Sequence, residues 1–325
     1  MRIPHFSACA SALALTAAYA LAGGTPGNAQ TWPTKPIELI IPWTAGGGVD
    51  LIGRSMAQSI SDQVGQKVFV SNREGAAGTI GFRAVADATP DGYVLGGGPA
   101  TPITNSPYLV SGVRYTPDSF DYICQYFENV FAVTVTKNSK FATIKDLIEA
   151  AKASPQKLNY GSAGVGTIGH LSAETMGDAL KLNLQHVPFR GDAAALPVLL
   201  KGDLEFMVPA LSSVRGRDDI RVLAVFSEAR QPTVPNVPSV RELGVRNPLV
   251  QGLNGLFAPK GLPAATKTAL EKACATAVKS EAVAKAMDNT GQIVAYLDGD
   301  RFRARAVADY KAKGELIRRL GLENK

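Results

Sequence analysis
The chain has 325 residues, 34 Lys+Arg against 28 Asp+Glu, a formal charge of +6 and only three cysteines. With 46 % hydrophobic and 19 % charged residues it can bury sizeable cores, which excludes a disordered polymer, and its length suits about two domains. Basic residues are scattered, with no run of five, so a nucleic-acid-binding arm is excluded too.

The first 29 residues point to a location. Arg2 is their one fixed charge, residues 7–22 form an uncharged Ala/Leu-rich run, and Gly27 and Ala29 supply the small residues of a cleavage site. The run is shorter than the ~20 residues of a spanning helix. It reads as a secretory signal peptide removed after Ala29, which places the mature protein in the periplasm. Removal leaves a net charge of +5 and two cysteines, Cys124 and Cys274. An oxidising compartment permits a disulfide between them, although nothing in the sequence says that they meet.

After the leader, strand-like and helix-like segments alternate. An apolar run at 37–42 stops at Ala45-Gly-Gly-Gly48, and Val49, Ile52, Met56 and Ile60 then recur at helical spacing. Strand signals follow at 68–70, 93–96, 131–135, 157–160, 184–188, 204–208 and 221–226. Helical patterns fall at 80–88, 144–153, 167–180 and 192–201. After the Pro-rich stretch 231–238 come an apolar segment at 255–259 and two long helical patterns, 264–280 and 301–320. The rhythm predicts an α/β fold with parallel-rich sheets covered by helices.

Two glycine loops join a strand to a helix. One is Trp43-Thr-Ala-Gly-Gly-Gly48 and the other is Tyr160-Gly-Ser-Ala-Gly-Val-Gly-Thr167. Glycines let amides turn toward one point, and a helix start adds partial positive charge, so each is an anion site in outline. The first is not a nucleotide motif, because GxxxxGK[ST] is absent and Gly46-Gly47-Gly48 does not give GxGxxG. Asp50 opens the first helix, either as a capping charge or as a ligand or loop-ordering partner. Arg190 directly follows a strand and could aim a guanidinium into a cleft. Of the histidines in the mature chain, His170 lies in the first turn of a helix and His186 inside a strand. Neither has metal-ligand spacing to a partner. Ser162 misses the G-x-S-x-G frame, because Tyr160 stands where the first Gly belongs. No cofactor is implied.

An ordered set of motifs carries a resemblance. Trp32-Pro-Thr-Lys-Pro36, Pro42-Trp43-Thr-Ala-Gly-Gly-x-x-Asp50, Asn72-Arg73 and Pro90-Asp-Gly-Tyr93 come first. Leu158-Asn-Tyr-Gly-Ser162, His170-Leu171, His186-Val-Pro-Phe-Arg-Gly191 and Leu256-Phe-Ala-Pro-x-Gly261 follow in order. Together they resemble the Bug/TctC-like periplasmic receptors of tripartite tricarboxylate transporters, over essentially the whole mature chain. The resemblance implies a two-lobed Venus-flytrap receptor, not an enzyme, with a ligand cleft between its lobes. It would be a monomer that hands a small carboxylate transiently to transporter membrane subunits. Carried over, Trp43, Ala45, Gly46, Gly47 and Asp50 flank the ligand on one side and Ser162, Ala163, Gly166 and Thr167 on the other. Arg190 and Ser212 (or Ser213) are further contributors. Lobe 1 is expected at 30–129 plus 246–325 and lobe 2 at 130–245, since the last two helices lack strands for a sheet of their own. The flat face of Trp43 adds aromatic dicarboxylates such as terephthalate to the di- and tricarboxylate candidates. Three alternatives remain open: a secreted hydrolase using Ser162 and His170, a ligand sensor feeding two-component signalling, and the ligand-binding half of a transcription regulator. The last needs an N-terminal DNA-binding helix where the leader stands.

Overall fold
The computed structural model describes residues 32–43, 45–154, 156–246 and 252–324. The signal-peptide reading of residues 1–29 lies outside them. The chain opens with β1 (Ile37–Ile41), α1 (Gly48–Val64), β2 (Val68–Asn72), α2 (Thr79–Ala86) and β3 (Val94–Pro99). Two single-turn helices follow, α3 (Thr101–Thr104) and α4 (Ser106–Leu109), and then the long strand β4 (Phe120–Asn129). Val130 alone separates β4 from β5 (Phe131–Thr136), where the second sheet begins. That sheet is completed through α5 (Ile144–Ala153), β6 (Leu158–Ser162), α6 (Ile168–Leu180), β7 (Leu184–Pro188), α7 (Asp192–Lys201), β8 (Phe206–Met207) and β9 (Ile220–Phe226). The chain returns through β10 (Gly252–Pro259), α8 (Ala264–Ala277), α9 (Glu281–Asn289), β11 (Ile293–Asp298) and α10 (Gly299–Arg319).

The first sheet has the order β11-β4-β10-β3-β1-β2 and the second β7-β6-β8-β5-β9. Two α/β lobes result. Both sheets are mixed rather than parallel-rich. Pairing is parallel where a helix connects the strands, at β2-β1-β3 and β7-β6-β8. It turns antiparallel where the strands next to the crossings enter: β10 runs against β3 and β4, and β5 against β8 and β9. The glycine loops both leave the carboxyl ends of parallel strands, where α/β folds place ligands.

Sequence explains the local stops. α1 ends at Gly65, whose left-handed φ of 71° lets its N–H bond Ser61 O. α5 starts on a capping box between Thr143 and Asp146. Ile52, Met56 and Ile60 of α1 pack with Leu270 and Ala273 of α8 on one face of the first sheet, and Phe82, Phe257 and Phe302 lie on the other. Tyr160, Phe206, Met176 and Leu147 centre the second lobe. Cys124 of β4 and Cys274 of α8 form a disulfide whose 150-residue span contains every strand of the second sheet. Among the described residues, no helix is long and apolar enough to cross a membrane.

Candidate functional site
The first loop is built around one buried carboxylate. Asp50 is 1 % exposed, and its Oδ2 accepts from Gly46 N (2.8 Å) and Arg54 Nε (2.9 Å). Its Oδ1 accepts from Asn72 Nδ2 (2.8 Å), which also reaches the Trp43 carbonyl at 2.9 Å. Burial pushes the Asp50 pKa up, but the bonds from Arg54, Gly46 and Asn72 outweigh it and hold the carboxyl below its usual range. Gly46 turns the chain back at φ +81°, a conformation glycine adopts freely. Asp50 therefore orders the loop from beneath, while Ala45, Gly46, Gly47 and Gly48 are exposed. Trp43 is half-buried, its ring 3.0 Å from where a Cβ on Gly78 would lie and 3.8 Å from one on Gly98.

The second loop rests on two histidines. Ser162 is 0 % exposed, and its Oγ lies 2.7 Å from His186 Nε2, 3.2 Å from Gly164 N and 3.1 Å from Gly164 O. Gly166 N donates to His170 Nδ1 at 2.9 Å, and the Thr167 hydroxyl donates to Gly164 O at 2.7 Å. The two imidazoles stack with centroids 3.8 Å apart and planes 12° apart. Burial pulls His170 down to about 3, with His186 adding to it, and burial pulls His186 to about 4, so both rings are neutral at pH 7. The amides of Gly164, Gly166 and Thr167 are thus engaged within the loop. Those of Ala163 and Val165 have no partner among the described residues. The first-turn amides of α1 and α6 lack an intrahelical acceptor by geometry.

Arg190 stands beside this loop, because Gly191 N bonds Ala163 O (3.2 Å) and Phe189 N bonds Ser162 O (3.0 Å). It is exposed and makes no ion pair among the described residues. Ser212 lies elsewhere: its Oγ accepts from Gln292 Nε2 of the other lobe at 3.1 Å. Arg215 nearby bonds Asp288 O (2.9 Å) and Oδ1 (3.0 Å), so this corner is a lobe-to-lobe contact. Ser213 Oγ donates to Asp192 Oδ2 (2.9 Å). The second loop touches the segment around α3 and α4, and the Trp43 ring and Pro102 both approach Gly78. Pro102 lies 2.8 Å from where a Cβ on Gly78 would stand, and Asn105 Nδ2 donates to Gly166 O at 3.0 Å.

Sequence reasoning missed Arg54 and Asn105. The hint for Arg54 was its position four residues after Asp50 on one helix face. The Ser162 and His170 pair of the hydrolase reading does not form. Ser162 meets His186 instead, and His170 turns its Nδ1 to the loop. The register of β6 against β7, which pairs Tyr160 with His186, decides this. Among the described residues, no cluster of three or more His, Cys, Asp and Glu could hold a metal ion.

Comparison with known proteins agrees with this architecture. The family model of the tripartite tricarboxylate transporter family receptor, TctC, matches residues 52–322. A UPF0065 protein of Cupriavidus necator is 31 % identical over 328 residues, covering 99 % of both chains. A TctC solute-binding protein from Polaromonas superimposes with a TM-score of 0.80 at 30 % identity, over 89 % of this chain and 100 % of its own. An R. palustris protein solved with adipate gives 0.74 at 26 %, over 89 % and 98 %. The Polaromonas protein is described as a solute-binding protein. The chain belongs to the TctC family of tripartite tricarboxylate transporter receptors, and it is a solute-binding receptor of the two-lobed periplasmic type.

Proposed function
We propose that this receptor captures a small dicarboxylate between residues 45–50 and 162–167 and delivers it to the membrane subunits of a tripartite tricarboxylate transporter. One observation carries the reading: unengaged amides at two strand-to-helix loops, with an exposed arginine free of ion pairs beside the second. Amides and a guanidinium are carboxylate donors, each charge-assisted bond contributing about 1.5–3 kcal/mol. Several moderate donors suit a protein that must also release its cargo. The R. palustris relative solved with adipate supports a dicarboxylate. In this reading the leader is cleaved after Ala29, the mature protein is a periplasmic monomer, and the lobes divide as 30–129 plus 246–325 against 130–245. Ala45, Gly47, Ala163 and Arg190 bear on the ligand, while Trp43, Gly46, Asp50, Ser162, Gly166 and Thr167 shape the loops.

Titration calorimetry with adipate, succinate, citrate and terephthalate tests this. At least one should bind, and Arg190→Ala should weaken it roughly tenfold to a hundredfold. An unchanged affinity in Arg190→Ala would remove the guanidinium from the site.

A further inference from the structure
We propose that Asp192 makes this receptor select dicarboxylates that carry a hydrogen-bond donor, an ammonium or a hydroxyl, on the carbon beside one carboxylate. The inference rests on the reading of the second lobe's loops as one wall of the ligand site, and it names the class of ligand which that wall accepts. Three loops leave the carboxyl ends of the parallel strands β6, β7 and β8, at residues 162–167, 189–191 and 208–213. Asp192, the first residue of α7, ties them together. Just before it, Gly191 N donates to Ala163 O at 3.2 Å, which holds the turn into α7 against the glycine loop. On the other side, its own Oδ2 accepts from Ala210 N (3.1 Å) and from the Ser213 hydroxyl (2.9 Å). Ser212, the neighbour of Ser213, touches Gln292 of the first lobe, so this wall faces the opposite lobe rather than outer solvent.

The two carboxylate oxygens of Asp192 are not equivalent. Oδ2 is satisfied by the two donors of the 208–213 loop. Oδ1 is buried without a hydrogen-bond partner, and no lysine or arginine pairs with the side chain among the described residues. Burial accordingly holds the carboxyl above its usual range, although the bonds from Ser213 and Ala210 pull the other way. A buried acceptor left bare costs free energy until something brings it a donor. An ionised carboxylate cannot, because its oxygens only accept. A dicarboxylate must therefore supply the donor from its carbon chain. Arg190 stands two residues away, exposed and without an ion pair among the described residues. Together the two side chains offer a cation for a carboxylate and an acceptor for the ammonium or hydroxyl next to it. A site built to hydrogen-bond one group rejects the analogue that lacks it, since its own polar atom then stays unpaired.

Titration calorimetry with matched acids tests this: succinate against L-aspartate and L-malate, glutarate against L-glutamate, and adipate against 2-aminoadipate. In at least one set the donor-bearing acid should bind about tenfold tighter than the plain one, or better. Asp192→Asn keeps an oxygen for Ala210 N and Ser213 and turns the bare oxygen into an NH2 group. It should erase the preference by weakening the donor-bearing acid, while the plain acid stays within about threefold of its parent affinity. An aspartate that only ordered the loop would leave the preference intact or weaken both acids alike. If Asp192→Asn fails to fold, the comparison on the parent decides alone. The proposal is overturned if every plain acid binds as tightly as its donor-bearing partners. It is overturned equally if folded Asp192→Asn retains the preference or weakens both members of a set alike. Plain acids that bind without such a preference overturn this inference alone, whereas no binding by any acid overturns the carboxylate reading itself.

Discussion
Asp50 collects three donors from three places in the chain: Gly46 in the loop, Arg54 one turn on and Asn72 at the end of β2. Removing the carboxylate leaves those donors without their acceptor and frees the turn before α1. Asp50→Ala should cost about 2 kcal/mol in urea unfolding, discounted because Arg54 is half exposed, and should weaken ligand binding as well. Because folding lowers its pKa, the stability Asp50 contributes is present above the unfolded value near 3.8 and lost as pH falls through the folded one. The histidines act over a higher window. Their folded pKa values, about 3 and 4, lie below the unfolded value of 6.5. Between pH 6.5 and about 4 the unfolded chain takes up protons that the folded chain refuses, so stability falls with pH. The slope is about 1.4 kcal/mol per pH unit for each such proton. Glu128 and Asp192, raised by burial, act in the opposite sense. Thermal unfolding from pH 7 to 4.5 should therefore steepen in the parent relative to His186→Gln, and equal slopes would refute the assignment. At this scale the sequence exposed the loops, but not what anchors them. Asp50 sits in the motif it orders, whereas His186 reaches Ser162 only through strand register, which local spacing does not encode.

The disulfide shows how the elements are tied together. It joins β4, which leads out of the first lobe, to α8, which is built after the return, so the whole second sheet lies within its loop. Closing so long a loop restricts the unfolded chain strongly. Cys274→Ala should lower stability by about 2–5 kcal/mol in non-reducing urea titrations, and reductant should lower the parent by a similar amount while leaving the variant unchanged. A variant as stable as the oxidised parent would contradict this. Most strands and helices followed from periodicity and Gly or Pro stops. The exceptions are β4, the single-turn α3 and α4, and the pair α9 and β11. Asp121 and Gln125 interrupt the apolar run of β4, and only the folded structure supplies their partners: Lys260 with the Gly261 and Leu262 amides for one, the Ala295 carbonyl for the other. β11 is an edge strand, exposed at Val294 and Tyr296, and it gains its identity by pairing with β4.

At the scale of the molecule, two lobes meet in two contact patches beside the crossing from β4 to β5. Asn105, Leu109 and Arg319 face Gly166, Ile168 and Asp178 on one, and Gln292 and Asp288 face Ser212 and Arg215 on the other. The exposed ion pairs among these contacts contribute little each, about 0–1 kcal/mol. The central claim is that the ligand of this receptor is a carboxylate. The measurement that tests it most directly is thermal unfolding of the mature protein against a graded series of mono-, di- and tricarboxylates, with neutral sugars and cationic amino acids as controls. The account predicts that a dicarboxylate raises the unfolding temperature along a saturating curve, equivalent to about 2.7 kcal/mol at a hundred times its dissociation constant. A control ligand that stabilises the protein while every carboxylate leaves it unchanged would contradict the account.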